Sequence, residues 1–334
     1  TTGIVIIWER ESSSEPLSGV VPQWLSATGI LSLGSGFVSV SGDGNIICAG
    51  APRTLNGSSV AVGAVVMWQR ANRSVSFSDV VPEILFPIEA TERYELGAEG
   101  ATISSDGLTI ATASLSTYKG VIHAWTRSDR SVSFSSTVQE ILKPREAVER
   151  AYVGEVRICM SDDGNTLAAG SSAHVKGTSS GAIFVWTRQN TSILFGDAGY
   201  DVVTDPAGIA DGKMGYDGIS LSSDGLMLAA GSPGAILNLV SLNDDDKPGV
   251  ILVWRRESTQ HRFSATQPLR LPFPRAVDPR NYIFSSTYGL GMGGVSLSAD
   301  GGTIVTAIED NTSSSYIRGG SIVSIRDFEK LFDS

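Results

Sequence analysis

The chain has 334 residues, a formal net charge of −10, 41% hydrophobic residues, 18% charged residues and 37 glycines. An acidic balance of that size is repelled by nucleic acid and by anionic membrane surfaces, which sets both aside as partners. No apolar run approaches the roughly 18 residues needed to cross a bilayer, so no membrane insertion is expected, and short apolar runs punctuated by glycine mark a folded, β-rich chain.

Residues 1–33 open with a predicted strand, Gly3-Ile4-Val5-Ile6-Ile7-Trp8, followed by a segment that the next stretch repeats. Trp8 answers Trp68, Arg10 answers Arg70, Val20-Val21-Pro22 answers Val80-Val81-Pro82, and Leu25 answers Leu85. This opening is half of a repeat whose period is about 60 residues. Residues 34–95 carry the whole unit: strands over Gly36 to Val40, Ile46 to Gly50 and Ala64 to Trp68, and a fourth near Val75 to Phe77.

The first two strands flank Asp43-Gly44. Asp-Gly is a strong hairpin signal, since a two-residue turn that matches strand twist needs the positive φ that glycine supplies. The same turn returns at Asp106-Gly107, Asp163-Gly164, Asp224-Gly225 and Asp300-Gly301. Each is followed by Gly-x-x-x-x-Trp, at Gly63 to Trp68, Gly120 to Trp125, Gly181 to Trp186 and Gly249 to Trp254, with Gly320 to Ile325 as a degenerate copy. The units then run over approximately 34–95, 96–152, 153–213, 214–289 and 290–334, after the half-unit 1–33. In the third, the fourth strand is predicted at Thr191 to Phe195, ahead of a Gly/Asp-rich stretch. The fourth carries the longest insertion, Ser232 to Pro248, and the last ends soon after its third strand.

In Ala182-Ile183-Phe184-Val185-Trp186-Thr187-Arg188, alternation places Phe184, Trp186 and Arg188 on one face and Ile183 and Val185 on the other. Sheets apolar on both faces must be covered on both, which radial packing achieves while leaving only short outer edges. The expected fold is therefore all-β: one domain over 1–334, a β-propeller of about five four-stranded blades, or six or more if the chain belongs to a longer protein. The half-unit is expected to complete the last blade. The repeated Trp is read as a wedge between blades, and the Arg two residues on (Arg10, Arg70, Arg127, Arg188, Arg256) as its structural companion. Cys48 and Cys159, on strands of different units, are read as free thiols.

The order of landmarks, Leu/Val/Met-Gly, then Ser-x-Asp-Gly, then Ala-Gly-Ala/Ser, then Gly-x-x-x-x-Trp, resembles the FG-GAP repeat of integrin α-subunit propellers. Leu33-Gly34, Leu96-Gly97, Val153-Gly154, Met214-Gly215 and Leu290-Gly291 stand where that family has Phe-Gly. Ala49-Gly50-Ala51-Pro52 and Ala230-Gly231-Ser232-Pro233 stand where it has Gly-Ala-Pro. Many FG-GAP blades hold Ca²⁺ in an aspartate-rich loop. Here the later carboxylate is replaced by residues such as Ile47, Ile110 and Leu167, leaving too few oxygens, so no metal and no cofactor is expected.

His123, His174 and His261 are scattered over three units, and no linear catalytic or metal-binding motif is present, so no enzyme is expected. The loops joining second to third strands should gather on one rim, and Tyr118, His174, Asp244, Asp245, Asp246 and Tyr316 are the candidate binding residues there. Sequons at Asn56, Asn72, Asn190 and Asn311 point to a secreted glycoprotein, extracellular or at the cell surface. The expected role is a non-catalytic module for adhesion or assembly that binds a protein partner, or itself, through that loop face. The alternative is a carbohydrate-binding lectin or glycoside-processing propeller, whose site would be assembled from side chains on separate blades.

Overall fold

In the computed structural model of the chain the described residues are 2–12, 14–57, 60–89, 94–114, 120–145, 151–155, 157–171, 180–207, 212–215, 218–233, 249–272, 294–310, 319–326 and 332. They divide into two compact units, the first comprising Thr1–Thr117 with Ile122–Ile141 and the second Tyr118–Val121 with Leu142–Ser334.

The first unit holds a two-stranded sheet, β1 (Val5–Ile7) and β2 (Gln23–Leu25), and a four-stranded one, β3 (Val38–Val40), β4 (Ile46–Gly50), β5 (Val65–Gln69) and β6 (Glu83–Leu85). A further four-stranded sheet, β7 (Ala101–Ile103), β8 (Thr109–Ser114), β9 (Val121–Thr126) and β10 (Gln139–Leu142), belongs to it apart from Val121 and Leu142. The second unit holds β11 (Ile158–Met160), β12 (Thr166–Ser171), β13 (Ala182–Thr187) and β14 (Tyr200–Val203) in one sheet. Its next sheet is β15 (Ile219–Leu221), β16 (Met227–Ser232), β17 (Val250–Arg255) and β18 (Leu269–Pro272). A three-stranded sheet of β19 (Val295–Leu297), β20 (Thr303–Asp310) and β21 (Gly319–Arg326) follows. Every sheet is a meander in chain order. Among the described residues β1 and β2 pair in one two-stranded sheet and the last sheet has three strands.

Small residues in the second strand explain how the sheets stack. In the third complete sheet Ala168, Ala169 and Gly170 lie opposite Val185, Phe184 and Ile183, so large side chains on one strand are matched by small ones on the next. A methyl group on Gly170 would sit 2.4 Å from the Gly215 carbonyl oxygen, which shows how closely the following segment approaches. The Leu/Met-Gly and Gly-x-x-x-x-Trp landmarks meet in space: Gly63 bridges Leu96 and Gly181 bridges Met214, both in parallel sense. Gly181 has φ +79°, and a Cβ there would lie 2.1 Å from the Met214 carbonyl oxygen, so both backbone angle and space require glycine.

The Asp-Gly turns differ from the two-residue turn expected. Ser41 N–H donates to the Ile46 carbonyl (2.9 Å) and Gly44 N–H to the Ser41 carbonyl (2.9 Å), a wider loop in which Gly44 alone takes positive φ, +73°. Side chains impose this form. Ser41 Oγ donates to Asp43 Oδ1 (2.7 Å) and accepts from Ile46 N–H (3.0 Å), while Asp43 Oδ1 accepts from Asn45 N–H (3.1 Å). The serine–aspartate bond recurs at Ser104–Asp106, Ser161–Asp163, Ser222–Asp224 and Ser298–Asp300, so the bracket belongs to the repeat.

The fourth strand also lies later than predicted. Val75 to Phe77 runs into the 3-10 turn Phe77–Asp79, with Phe134–Ser136 its counterpart in the next unit, while Thr191 to Phe195 leads into the short helix Phe195–Ala198; the strands are β6, β10 and β14. Asn72 Oδ1 accepts from Ser74 N–H and Asn190 Oδ1 from Ser192 N–H, both at 2.9 Å, local bonds that compete with extension. The turn then delivers its Phe beneath an arginine, with Arg70, Arg127, Arg188 and Arg256 lying 4.1–4.4 Å above the rings of Phe77, Phe134, Phe195 and Phe263.

Candidate functional site

Tyr118, His174, Asp244, Asp245, Asp246, Tyr316 and Asn311 lie outside the described residues. Asn56, Asn72 and Asn190 are exposed. His123 is buried, with Nε2 3.3 Å from Ser114 Oγ, and its ring packs edge-on to Tyr94 at 5.5 Å and stacks on Trp125 at 6.2 Å. That is a core histidine. Cys48 and Cys159 are free thiols, and burial pushes Cys48 up to about 12.

The described residues gather their polar side chains elsewhere, in a cavity of about 610 Å³ within the second unit. One wall comes from the segment after β13 and the start of β14, with Gln189, Asp197, Tyr200 and Asp201; the other follows β17, with Thr259, Gln260, His261 and Arg262. Its shape begins in the sequence. Where other units place Ser-Asp, Ser-Ser-Thr or Ser-Ala-Thr after the Phe, this one has Gly196-Asp197-Ala198-Gly199, a short helix stopped by Gly199 at φ +74°. The helix presents Asp197 to solvent, and Tyr200 follows half-buried, its ring 5.7 Å from that of Trp186 and 6.1 Å from that of Phe184.

The two carboxylates in this cavity are not equivalent. Asp201 is buried and accepts from Ser264 N–H (3.0 Å) and Ser264 Oγ (2.5 Å). Glu83 at the matching place in β6 accepts from Ser135 N–H (2.7 Å) and from Ser133 Oγ, and Gln23 in β2 from Phe77 N–H (3.0 Å) and Ser76 Oγ (2.9 Å). Asp201 is therefore a repeat acceptor that fastens one sheet to the 3-10 turn of the next. Asp197, Gln189, Gln260 and Arg262 are exposed and offer both acceptors and donors to a ligand, with His261 Nδ1 2.9 Å from Ser258 Oγ beside them. The sequence signal was the Gly/Asp-rich stretch, but nothing in it connected that stretch to residues 259–262.

The turn carboxylates are held by the fold rather than open to a ligand. Burial works against ionising Asp43 and Asp163, yet donors from Arg130, Ser41 and Asn45 on the first, and from Ser161 and Asn165 on the second, keep both below their ordinary value of 3.8. The hydrogen bonds from Arg70 likewise hold Glu9 below 4.5. A carboxyl depressed in the folded state binds fewer protons there than in the unfolded chain, so its contribution is whole above the unfolded value and lost as pH falls through the folded one. Thermal melts from pH 7 to pH 2 are expected to show a melting temperature steady to about pH 5 and falling below about pH 4. A melting temperature that rose on acidification would contradict this assignment. Among the described residues no group of three or more His, Cys, Asp or Glu side chains is placed to hold a metal ion, and no helix is long and apolar enough to cross a membrane.

No family model and no curated protein sequence matches the chain. Among solved structures it is similar to the periplasmic gluconolactonase of Pseudomonas aeruginosa, with a TM-score of 0.50 and 14% identity over 97% of this chain and 78% of that one. It is also similar to a putative 6-phosphogluconolactonase from Bacteroides uniformis (TM-score 0.48, 12% identity, 96% and 82% coverage). A putative TolB from Agrobacterium tumefaciens is similar at TM-score 0.47 and 13% identity, over 87% and 76%. Together with the four-stranded meanders, the first likeness places the fold in the β-propeller class.

The expectation of a non-catalytic adhesion or assembly module acting through its loop face is corrected by these findings. One of the similar structures is by name a gluconolactonase, and polar side chains among the described residues line a cavity beside β13, β14 and the segment after β17.

Proposed function

We propose that the chain is a carbohydrate-recognising β-propeller that binds a hydroxyl-rich ligand in the cavity of the second unit. The observation that carries this reading is the pairing of a half-buried Tyr200 ring with exposed Asp197, Gln189, Gln260 and Arg262 around about 610 Å³. A sugar presents an apolar C–H face to stack on an aromatic ring and a belt of hydroxyls that each donate and accept, so it suits a mixed carboxylate, amide and guanidinium lining. Recognition is favoured over glycosidic cleavage, because one of the two carboxylates, Asp201, already accepts two bonds from Ser264. The sheets act as blades, four of them four-stranded among the described residues, and the repeats are of FG-GAP-like order by their landmarks. A site of action outside the cytoplasm fits the exposed sequons and the periplasmic gluconolactonase likeness.

Calorimetric titration with a panel of monosaccharides, aldonic acids and their lactones tests the reading. At least one is expected to saturate the protein, and Asp197→Ala and Arg262→Ala are each expected to weaken it about tenfold without changing the melting temperature, the loss of one charge-assisted hydrogen bond. Failure of every sugar to bind at ~10 mM would remove the proposal.

A further inference from the structure

Several residues lining the cavity of the second unit depart from what the repeat places at the same positions. Arg262 stands where the units 34–95 and 96–152 have Ser76 and Ser133, with Leu194 in the unit after them. Both serines are occupied by the fold, Ser76 Oγ donating to Gln23 Oε1 (2.9 Å) and Ser133 Oγ to Glu83. The acceptor that matches Gln23 and Glu83 here is Asp201, and Ser264 serves it through both its N–H (3.0 Å) and its Oγ (2.5 Å). Position 262 is thereby released from that duty. Among the described residues the Arg262 guanidinium makes no hydrogen bond or ion pair, and it is exposed at the rim of the cavity.

His261 departs in the same way. Val75, Val132 and Ile193 hold its place and are half-buried, whereas the imidazole is exposed. Only the backbone duty is kept, since the His261 carbonyl accepts from Arg256 (3.3 Å) as those of Val75, Val132 and Ile193 accept from Arg70, Arg127 and Arg188. Ser258 Oγ lies 2.9 Å from Nδ1, so Nε2 is the nitrogen left for a ligand. On the opposite wall Tyr200 replaces Pro82 and Gln139, and Gly199 replaces Val81 and Val138. A Cβ on Gly199 would meet nothing within 4 Å, so no side chain at 199 stands between solvent and the Tyr200 ring.

The charges lining the cavity run against the charge of the chain. Three are guanidinium groups, Arg188, Arg256 and Arg262, and two are carboxylates, Asp197 and Asp201, in a protein whose net charge is −10. The bonds from Arg188 to the Gly164 carbonyl and from Arg256 to the Gly225 carbonyl satisfy donors without cancelling charge. Exposed carboxylates elsewhere are screened beyond roughly 8 Å at physiological salt, so the groups in the cavity govern what it accepts. An anion is therefore admitted on the Arg262 side, and the exposed Asp197 and Gln189 on the other side offer acceptors for hydroxyl groups.

We infer, on the footing of the carbohydrate reading above, that the ligand is a uronic acid, a pyranose whose ring carries a carboxylate. The planar Arg262 fork presents two parallel N–H donors to that carboxylate, with His261 beside it. Tyr200 takes the C–H face of the ring, and Asp197 and Gln189 take its hydroxyls. The same arrangement separates a uronate from its two nearest relatives. A neutral pyranose lacks the anion that pairs with Arg262, and an aldonate, although an anion, is an open chain with no flat face to set against Tyr200.

Calorimetric titration of the 334-residue chain tests this with the methyl glycosides of glucuronic and galacturonic acid, those of glucose and galactose, and gluconate. At least one uronide is expected to bind about tenfold tighter than the neutral glycoside of the same configuration and than gluconate. Arg262→Ala is expected to abolish that preference by weakening the uronide alone, and Arg262→Lys to restore part of it, whereas Asp197→Ala should weaken uronide and neutral glycoside alike. Both side chains are exposed, so the variants should melt as the parent does, which a thermal scan verifies. A neutral glycoside or gluconate bound as tightly as the uronide, or a uronide preference that survives Arg262→Ala, overturns the inference and leaves the carbohydrate reading standing. Saturation by none of these sugars at ~10 mM removes that reading itself, and the uronate with it.

Discussion

Trp186→Ala is expected to destabilise the chain by about 3–5 kcal/mol and to lower its melting temperature by on the order of 5–10 °C. Trp186 is 2% exposed, pairs across the sheet with Leu167 and Tyr200, and packs its indole against the rings of Tyr200 at 5.7 Å and Phe184 at 6.4 Å. Removing it costs the transfer of roughly 150–250 Å² of apolar surface and leaves a void, because strands hydrogen-bonded on both sides cannot collapse to fill it. Trp8→Ala supplies an internal control at the same repeat position. With the indole half in water its loss should cost less than about 1 kcal/mol in the isolated chain. Equal effects at the two sites would show that the repeated Trp does not act through burial.

Much of the fold was legible because it is written in positions that repeat. The five Asp-Gly turns, the second and third strands and the buried indoles of the complete units follow from glycine spacing and alternation, and the structure sets Ile46–Gly50 and Val65–Gln69 within a residue of expectation. What failed was what side chains decide locally. The Ser41–Asp43 bracket turns a two-residue turn into a wider one, and the Asn72 bond to Ser74 N–H makes a 3-10 turn where Val75 to Phe77 promised a strand. The candidate site was less legible still. Asp197 and Arg262 are far apart in sequence and meet only because successive sheets stack, and no periodicity carries that information. Trp8 shows the converse: its membership of the repeat was plain, but its half-exposed indole was not foreseen.

Arg256→Ala is expected to cost about 3–4 kcal/mol, close to the loss of a core aromatic although a charged residue is removed. The guanidinium is 3% exposed and donates to the Gly225 carbonyl (2.9 Å), the His261 carbonyl (3.3 Å), Thr166 Oγ1 (2.9 Å) and Thr187 Oγ1 (3.1 Å), while lying 4.4 Å above the Phe263 ring. It thus ties three things together: its own Asp-Gly turn, its own 3-10 turn, and the two strands of the preceding sheet that carry the threonines. Burial pulls its pKa down to about 10, against the opposing charges of Asp201, Asp163 and Asp224, so it remains a cation at neutral pH. Truncation leaves the buried Gly225 carbonyl and the part-buried His261 carbonyl without this donor, and the penalty of unpaired groups, rather than the worth of the bonds, sets the size of the effect. Arg256→Lys tests this, since a single ammonium preserves charge but cannot reach four acceptors from one plane. It is expected to recover less than half of the loss in urea denaturation. Full recovery by lysine would mean that charge alone holds the sheets together, and that the planar fork, the feature the repeat shares at Arg70, Arg127 and Arg188, is incidental.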